Sequence, residues 1–302
     1  MPPVTLNRAL VLRHGAGRSD TYDAALLDVA QDHLLWLLAE AGLFDDHDLV
    51  FKGGTSLRKC RLGGAGRFST DLDFAAPDDD TVLAVCEIID GAAVSGFRFS
   101  LTATRGDGRH WNLTVEHPAL GQPAIGASIE FARRPLVLEP ERLPTIPLPI
   151  HKAYGITLPT LPVIAKAEAC AEKLARYRRT ALGRDVYDLA QFASRPIDER
   201  LVRRLWVLKV WADVVDDGRG SGPIDPHDVL VPRGERDFAP DSVGALTRPV
   251  ELATWERRVR DRFGFLADLD QDERRWTACD PRHRDEIQVA LSNRGFPPSQ
   301  AN

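Results

Sequence analysis

Seven prolines, Pro135, Pro140, Pro144, Pro147, Pro149, Pro159 and Pro162, crowd into one stretch of the 302-residue chain, and no other feature limits its possible folds so strongly. Each removes a backbone donor and disfavours helix in the residue before it, so no long helix can cross this stretch. Upstream, helix and strand signals are mixed. Leu26, Leu27, Ala30, Leu34, Leu35, Leu37 and Leu38 recur at helical spacing and predict a helix over 23–44, with Asp20 as its start. Asp48–Phe51 and Asp71–Ala75 read as short strands, and Asp78 to Asp80 as caps of a helix running to about Asp90. Phe97–Thr104, His110–Glu116 and Ala127–Ala132 read as three further strands. Downstream the pattern is helical: Leu161–Arg179, Arg184–Ser194, Asp198–Asp217, Pro249–Leu269 and roughly Asp272–Asn293. The expected architecture is α+β, a mixed-sheet domain over residues 1–150 followed by an all-helical domain over 151–302, with the proline stretch as the connection.

Composition narrows the class. At 43% hydrophobic and 27% charged, the chain can bury a core and is not a disordered protein. Its net charge of −5 lies wholly in residues 1–134, which hold 13 Lys/Arg against 18 Asp/Glu; residues 135–302 hold 26 of each and are rich in arginine. The global acidity excludes a nonspecific nucleic-acid coat but not a local basic groove. No apolar run reaches the ~18 residues of a membrane helix. Met1-Pro2-Pro3-Val4-Thr5-Leu6-Asn7-Arg8 has no apolar core of a signal peptide, so a cytoplasmic protein without a membrane partner is expected. Cys60, Cys86, Cys170 and Cys279 form no C-x-x-C pair, and the histidines have no zinc-site spacing. Cys86 and Cys170, with Trp206, Trp211, Trp255 and Trp276, fall in helical patterns and read as core.

The most informative stretch runs from Phe51 to Phe74. A short strand breaks at Lys52-Gly53-Gly54-Thr55, a helix starts, a basic glycine-rich loop follows, and Arg67-Phe68-Ser69-Thr70-Asp71-Leu72-Asp73-Phe74 enters a strand. Side chains two apart on a strand share a face, so Asp71 and Asp73 project together. Adjacent carboxylates repel, and a divalent cation relieves this; Mg²⁺ takes few carboxylates and completes its shell with water and phosphate oxygens. Glycines at a strand-to-helix turn let the backbone approach a phosphate near unsatisfied N–H groups. One stretch therefore encodes a phosphate cradle and a metal clamp, as nucleotidyl transfer requires. Either half alone is weak, since D-x-D also occurs in glycosyltransferases and in ordinary surface strands. Glu130, charged and central in Ala127–Ala132, is a candidate third ligand or a base for the attacking hydroxyl; the competing reading is a glutamate on an edge strand facing water.

Lys52-Gly53-Gly54-Thr55-x-Leu57-Arg58, followed by Arg67-Phe68-Ser69-x-Asp71-Leu72-Asp73-Phe74, resembles the AbiEii/AbiGii-type nucleotidyltransferase toxins, and in particular their MenT-like branch, within the DNA polymerase β-like superfamily. Ala171-Glu172-Lys173-Leu174 and Arg184-Asp185-Val186-Tyr187-Asp188-Leu189 match two further motifs of that family. The resemblance implies a Mg²⁺-dependent enzyme, with Mn²⁺ as an alternative ion, and an NTP donor. It implies tRNA as acceptor, extended at its 3′ end so that charging and translation are blocked, and a cognate antitoxin as partner. By position, Asp71 and Asp73 bind metal, Glu130 being added from the strand reading. Lys52, Gly53, Gly54, Thr55, Arg58 and Ser69 line the nucleotide, Lys173 reaches the phosphates or nucleotide, and Asp185 or Asp188 helps hold the site together.

The residues themselves support part of this. Lys166, Cys170, Lys173 and Tyr177 form a stripe down one helix. Lys173 also reads as an exposed lysine paired with Glu168, Glu172 or another acid, Asp185 as a cap acid, and Asp188 as an acceptor for Lys173 or an arginine. Arg176, Arg178, Arg179 and Arg184, interleaved with Tyr177, suit RNA phosphates and base stacking. The alternatives are an enzyme of the same fold acting on a protein or small molecule, and a non-catalytic module that binds nucleotide or RNA.

Overall fold

The structure, a computed structural model, describes residues 5–292. Among them are the strands β1 (Val50–Lys52), β2 (Leu72–Ala75), β3 (Ala93–Val94), β4 (Phe97–Ala103), β5 (His110–His117), β6 (Gly121–Ala132), β7 (Glu141–Pro144) and β8 (Thr160–Val163). They form one mixed sheet in the order β3-β4-β5-β6-β2-β1-β8-β7. β2 runs parallel to β6 and antiparallel to β1, and β1 runs parallel to β8. The helices of this unit are α1 (Arg8–His14), α2 (Tyr22–Glu40), α3 (Leu43–Asp46), α4 (Gly53–Leu57) and α5 (Asp79–Ile89).

Alternation along the strands gives the sheet two unlike faces. Leu72, Phe74, Ile129, Phe131, Leu113, Val115, Phe97 and Phe99 are buried, and α2 and α5 pack there with Leu26, Leu34, Val85 and Ile89. Phe74 lies 5.5 Å from Phe51 and 5.9 Å from Phe131, ring centre to ring centre. The intervening residues, Asp71, Asp73, Ser128, Glu130 and Asn112, take the opposite face and are half-buried or exposed. α5 starts as its sequence predicts: the Asp78 carboxylate accepts from the Thr81 amide at 2.6 Å.

The second unit is helical. It comprises Val137–Glu139, Ala165–Val243 and the chain from Val250 onward, with α6 (Lys166–Arg179), α7 (Gly183–Ala193), α8 (Glu199–Val215), α9 (His227–Leu230), α10 (Leu252–Arg262), α11 (Gln271–Trp276) and α12 (Arg284–Ser292). Trp206, Trp211, Trp255 and Trp276 are core residues here, as their place in helical patterns predicts. Glu168 staples 137–139 to α6 by accepting from the Val137 and Leu138 amides, and it pairs with the buried Lys209 at 2.5 Å.

The proline stretch is not a linker. β7 and β8 add to the sheet, Ile146 donates to the Lys59 carbonyl at 2.8 Å, and Arg61 reaches the Ile164 carbonyl at 2.8 Å. β7 is an edge strand, where missing proline donors are tolerated. The sheet unit therefore extends to Ile164 and regains Gly244–Pro249, so the units do not divide at 150/151. The helix expected from Leu161 begins at Lys166, because Leu161 and Val163 are buried strand residues of β8. The helix expected over 23–44 ends at Glu40, where Gly42 takes a left-handed turn (φ +78) into α3. The helix expected over 249–269 gives way after Arg262 to a short 3₁₀ turn, and the one over 272–293 is split by Asp280-Pro281. Its last residue, Asn293, lies outside the described residues, as do Met1–Val4.

Candidate active site

The site in the sheet unit is built around two glycines that have no room for a side chain. β1 ends at Lys52, and the chain turns into α4 through Gly53, whose φ is +75. A Cβ on Gly53 would strike the Asp73 carboxylate, lying 2.6 Å from its Cγ. A Cβ on Gly54 would strike the Arg67 guanidinium and lie 2.9 Å from Ser69 Oγ. The turn is thus pressed against Arg67, Ser69 and Asp73. Thr55 Oγ1 donates to the Asp71 carbonyl at 2.5 Å, and Ser56 Oγ donates to the Gly53 carbonyl at 3.0 Å.

Sheet register assembles the charged groups. Asp73 on β2 stands opposite Lys52 on β1 and Glu130 on β6, and Glu130 stands opposite His110 on β5. These side chains form one row across one face. Asp71 enters the same face two residues earlier, and its Oδ1 accepts from Ser128 Oγ at 2.9 Å and from Thr70 Oγ1 at 3.0 Å. The edge-strand reading of Glu130 is corrected: β6 lies between β5 and β2, and Glu130 is exposed because its face is open. Among the described residues no group of three or more His, Cys, Asp or Glu is arranged as a ready metal cage. What the face offers is a pair of hard oxygen donors beside a glycine turn, a donor set suited to an ion that keeps water and phosphate oxygens in its shell.

Arg58 is corrected. It was expected to line the nucleotide, yet it is only 2% exposed. Its guanidinium is engaged by Asp28 at 2.7 and 3.0 Å and by the Gly66 carbonyl at 2.6 Å, and it stacks 4.0 Å over the Phe68 ring. Arg58 therefore braces the glycine-rich loop from beneath. It belongs to a network that sequence reasoning missed. Lys59 pairs with Asp28 at 2.8 Å and Asp32 at 2.7 Å, His14 meets Asp28 at 2.7 Å, and Tyr154 donates to Asp32 at 2.7 Å. Burial alone would raise the Asp28 carboxyl, but Arg58 and Lys59 outweigh it and hold its pKa well below the usual range; Asp32 is lowered in the same way by Lys59. The signal was present as Asp28 and Asp32 on the apolar face of a helix, next to Leu27, Leu34 and Leu35. A second missed contact is Gln31, buried on α2, whose Nε2 donates to the Ser69 and Thr70 carbonyls at 3.0 and 3.1 Å.

The helical unit holds the other predicted group. Lys173 on α6 pairs with Asp188 at 2.8 Å and Asp185 at 3.3 Å, both from α7, and Arg176 also meets Asp185 at 3.2 Å. Asp188 is an acceptor for Lys173 as its sequence position suggests, whereas Glu168 and Glu172 hold Lys209 instead. The proposed RNA arginines separate. Arg178 is a brace, pairing with Asp228 at 2.9 Å and donating to the Ser221 and Pro223 carbonyls. Arg179 is exposed beside Asp213 at 3.4 Å, while Arg176 and Arg184 are half-buried. Tyr177 is 1% exposed beneath the Arg233 guanidinium, 4.3 Å from its ring centre, so it offers no face to a base. The four cysteines are free thiols; burial pushes Cys60 up to about 12 and Cys86 to about 11, which makes them inert.

Residues 36–285, which span this glycine turn and the paired strand carboxylates, match the family described as nucleotidyl transferase AbiEii toxin, type IV TA system. The chain belongs to that family. It is 70% identical to MenT4, the nucleotidyltransferase toxin Rv2826c from Mycobacterium tuberculosis H37Rv; the match covers 95% of this chain and 98% of that one, with a TM-score of 0.92. Two Helicobacter pylori proteins, a putative nucleotidyltransferase and JHP933, match at 16% and 14% identity over 83% and 90% of this chain and 96% and 99% of theirs, each with a TM-score of 0.46. No significant match is found among curated proteins. Among the described residues no helix is long and apolar enough to cross a membrane.

Proposed function

We propose that this nucleotidyltransferase toxin transfers nucleotides from an NTP to the 3′ end of tRNA, in the cytoplasm, and so blocks charging and translation until a cognate antitoxin intervenes. The observation that carries the reading is the row Lys52–Asp73–Glu130, with Asp71 on the same face, set against the Gly53–Gly54 turn. Asp71 and Asp73 are the proposed metal ligands, with Glu130 in register to join them or to receive the proton of the attacking hydroxyl. Gly53, Gly54, Thr55 and Ser69 are the proposed triphosphate cradle, and Lys52 the cation beside it. Bound Mg²⁺ would neutralise charge developing at the attacking and leaving oxygens. Lys173 is proposed as a nucleotide-contacting lysine on its family motif, with Asp185 and Asp188 fixing its ammonium. Arg176, Arg179 and Arg184 remain proposed RNA contacts; Arg178 is withdrawn as a structural brace.

The test is incubation with total tRNA, Mg²⁺ and each labelled NTP. Label is expected on tRNA from wild type, with Asp71→Ala reduced by about 10²- to 10³-fold. Absence of label from every NTP overturns the tRNA acceptor, and equal labelling by Asp71→Ala overturns the site. Labelled protein or small molecule in place of RNA would favour the same-fold alternative.

A further inference from the structure

Asp71 and Asp73, the proposed metal ligands, can serve an ion only if the angle of each carboxylate is set. A strand places a side chain on a face; it does not fix the rotation of the carboxylate plane. Ligand geometry around a small hard cation is demanding, and groups one step removed from the ion set it.

Asp71 has two such groups, on different elements. Thr70 Oγ1 approaches Asp71 Oδ1 at 3.0 Å from the chain just before β2, and Ser128 Oγ approaches the same oxygen at 2.9 Å from β6. Both hydroxyls donate, since a carboxylate oxygen has no proton to give. Two donors converging on one oxygen from separate elements fix the carboxylate's rotation. The support has a foundation of its own. Gln31, 1% exposed, donates to the Ser69 and Thr70 carbonyls, which holds in place the peptide that carries Thr70. Both neighbours are acceptors, so the amide must present Nε2 to them. Its buried Oε1 has no hydrogen-bond partner among the described residues. A fold tolerates an unpaired buried oxygen where the remaining geometry is worth more.

We propose that Thr70 and Ser128 are positioning residues, whose hydroxyls set the Asp71 carboxylate to receive a divalent cation. The proposal rests on the metal reading of the carboxylate pair. It assigns no contact with substrate to either residue.

The test uses the full-length protein and Mn²⁺ as probe, with binding read from loss of the free-ion EPR signal. Ser128→Ala and Thr70→Val each remove a donor with little change in volume; Ser128→Thr and Thr70→Ser keep it. Asp71→Asn tests the underlying reading. Ser128→Ala and Thr70→Val are expected to weaken Mn²⁺ by about tenfold, the size seen for outer-shell groups, while the hydroxyl-retaining variants stay within about twofold of wild type. Melting temperatures are expected to match wild type. Wild-type binding by both Ser128→Ala and Thr70→Val, with Asp71→Asn unable to bind, overturns the positioning role and leaves the metal reading standing. Wild-type binding by Asp71→Asn, or no binding by wild type, overturns the metal reading and the proposal with it. Weakened binding accompanied by a fall in melting temperature in both donor-removing variants overturns it in favour of a purely structural role.

Discussion

The sheet unit holds two pairs of aspartates, and they live under opposite physical rules. Asp28 and Asp32 are one helical turn apart on α2, 0% and 1% exposed, and are met by Arg58, Lys59, His14 and Tyr154 from the chain itself. Asp71 and Asp73 are two residues apart at the start of β2, half-buried on the open face, with hydroxyls on one and Lys52 in register with the other. In the first pair, charges taken out of water must be matched by partners that never leave. In the second, partial exposure keeps the desolvation penalty low and leaves the face accessible to a ligand. Burial separates acids that hold the fold from acids left open to a ligand, the proposed metal ligands. The comparison also explains why Arg58 is a brace although it lies in the glycine-turn motif: its partner belongs to the sealed pair.

Removing an acid from the sealed pair should have the largest effect on stability. Asp28→Ala leaves Arg58 and Lys59 as buried cations without their shared counter-ion, and breaking such a pair costs about 3–5 kcal/mol. Chemical denaturation should show this as a lower midpoint. A loss below about 1 kcal/mol would mean that water or rearrangement replaces Asp28, and the distinction between the pairs would fail. Acid should act through the same groups. Asp28 and Asp32 have lowered carboxyl pKa values in the folded protein, so their stabilisation is fully present above the unfolded value of about 4. It is lost as pH falls through the folded values. The wild type should therefore lose stability more steeply below about pH 4 than Asp28→Asn does, as read by denaturation at fixed temperature across pH 2–6. Parallel curves would remove these two groups from the acid response.

Gly53→Ala should have the next largest effect, and it tests how tightly the open pair is tied to the turn. The variant combines a left-handed backbone with a Cβ driven into Asp73. Strain at such a position costs about 1–3 kcal/mol. Displacing Asp73 by about 1 Å should also lower nucleotide transfer, by about 10²-fold, because catalytic geometry tolerates little misplacement. Stability and single-turnover transfer measured on one preparation give both numbers. A fully active Gly53→Ala enzyme would show that Asp73 has freedom the structure denies it.

Much of this was legible in the sequence, for identifiable reasons. Asp71-Leu72-Asp73-Phe74 alternates with period two, so a strand with both acids on one face follows directly. The tryptophans of α8, α10 and α11 sit within helical patterns and are core. The proline stretch misled because local propensity says only where helices cannot run. It is silent on whether an extended segment joins a sheet, and β8 does so by pairing with β1 more than a hundred residues away. Glu130 was legible as central in a strand, but its neighbours β5 and β2 are set by tertiary pairing. The Asp28–Asp32 network was hidden because its cations come from a different element, Arg58 and Lys59, and the glycine-turn motif assigns Arg58 to the nucleotide instead.

The smallest effect on stability is expected where the effect on function is greatest. Asp71→Asn keeps an oxygen acceptor of the same shape, so Ser128 and Thr70 can still donate to it. The residue is half-buried, and substitutions outside a sealed network change stability by about 0.5 kcal/mol or less. The amide has no negative charge to offer a divalent cation, so Mn²⁺ binding and nucleotide transfer should be lost at an unchanged denaturation midpoint. The same change in the sealed pair, Asp28→Asn, should do the reverse. It removes the charge that Arg58 and Lys59 share and lowers the midpoint, while residual transfer by the folded fraction stays near wild type. Crossing the two variants separates the roles: if Asp71→Asn destabilises as much as Asp28→Asn, the open pair also holds the fold and the contrast between the two aspartate pairs does not stand.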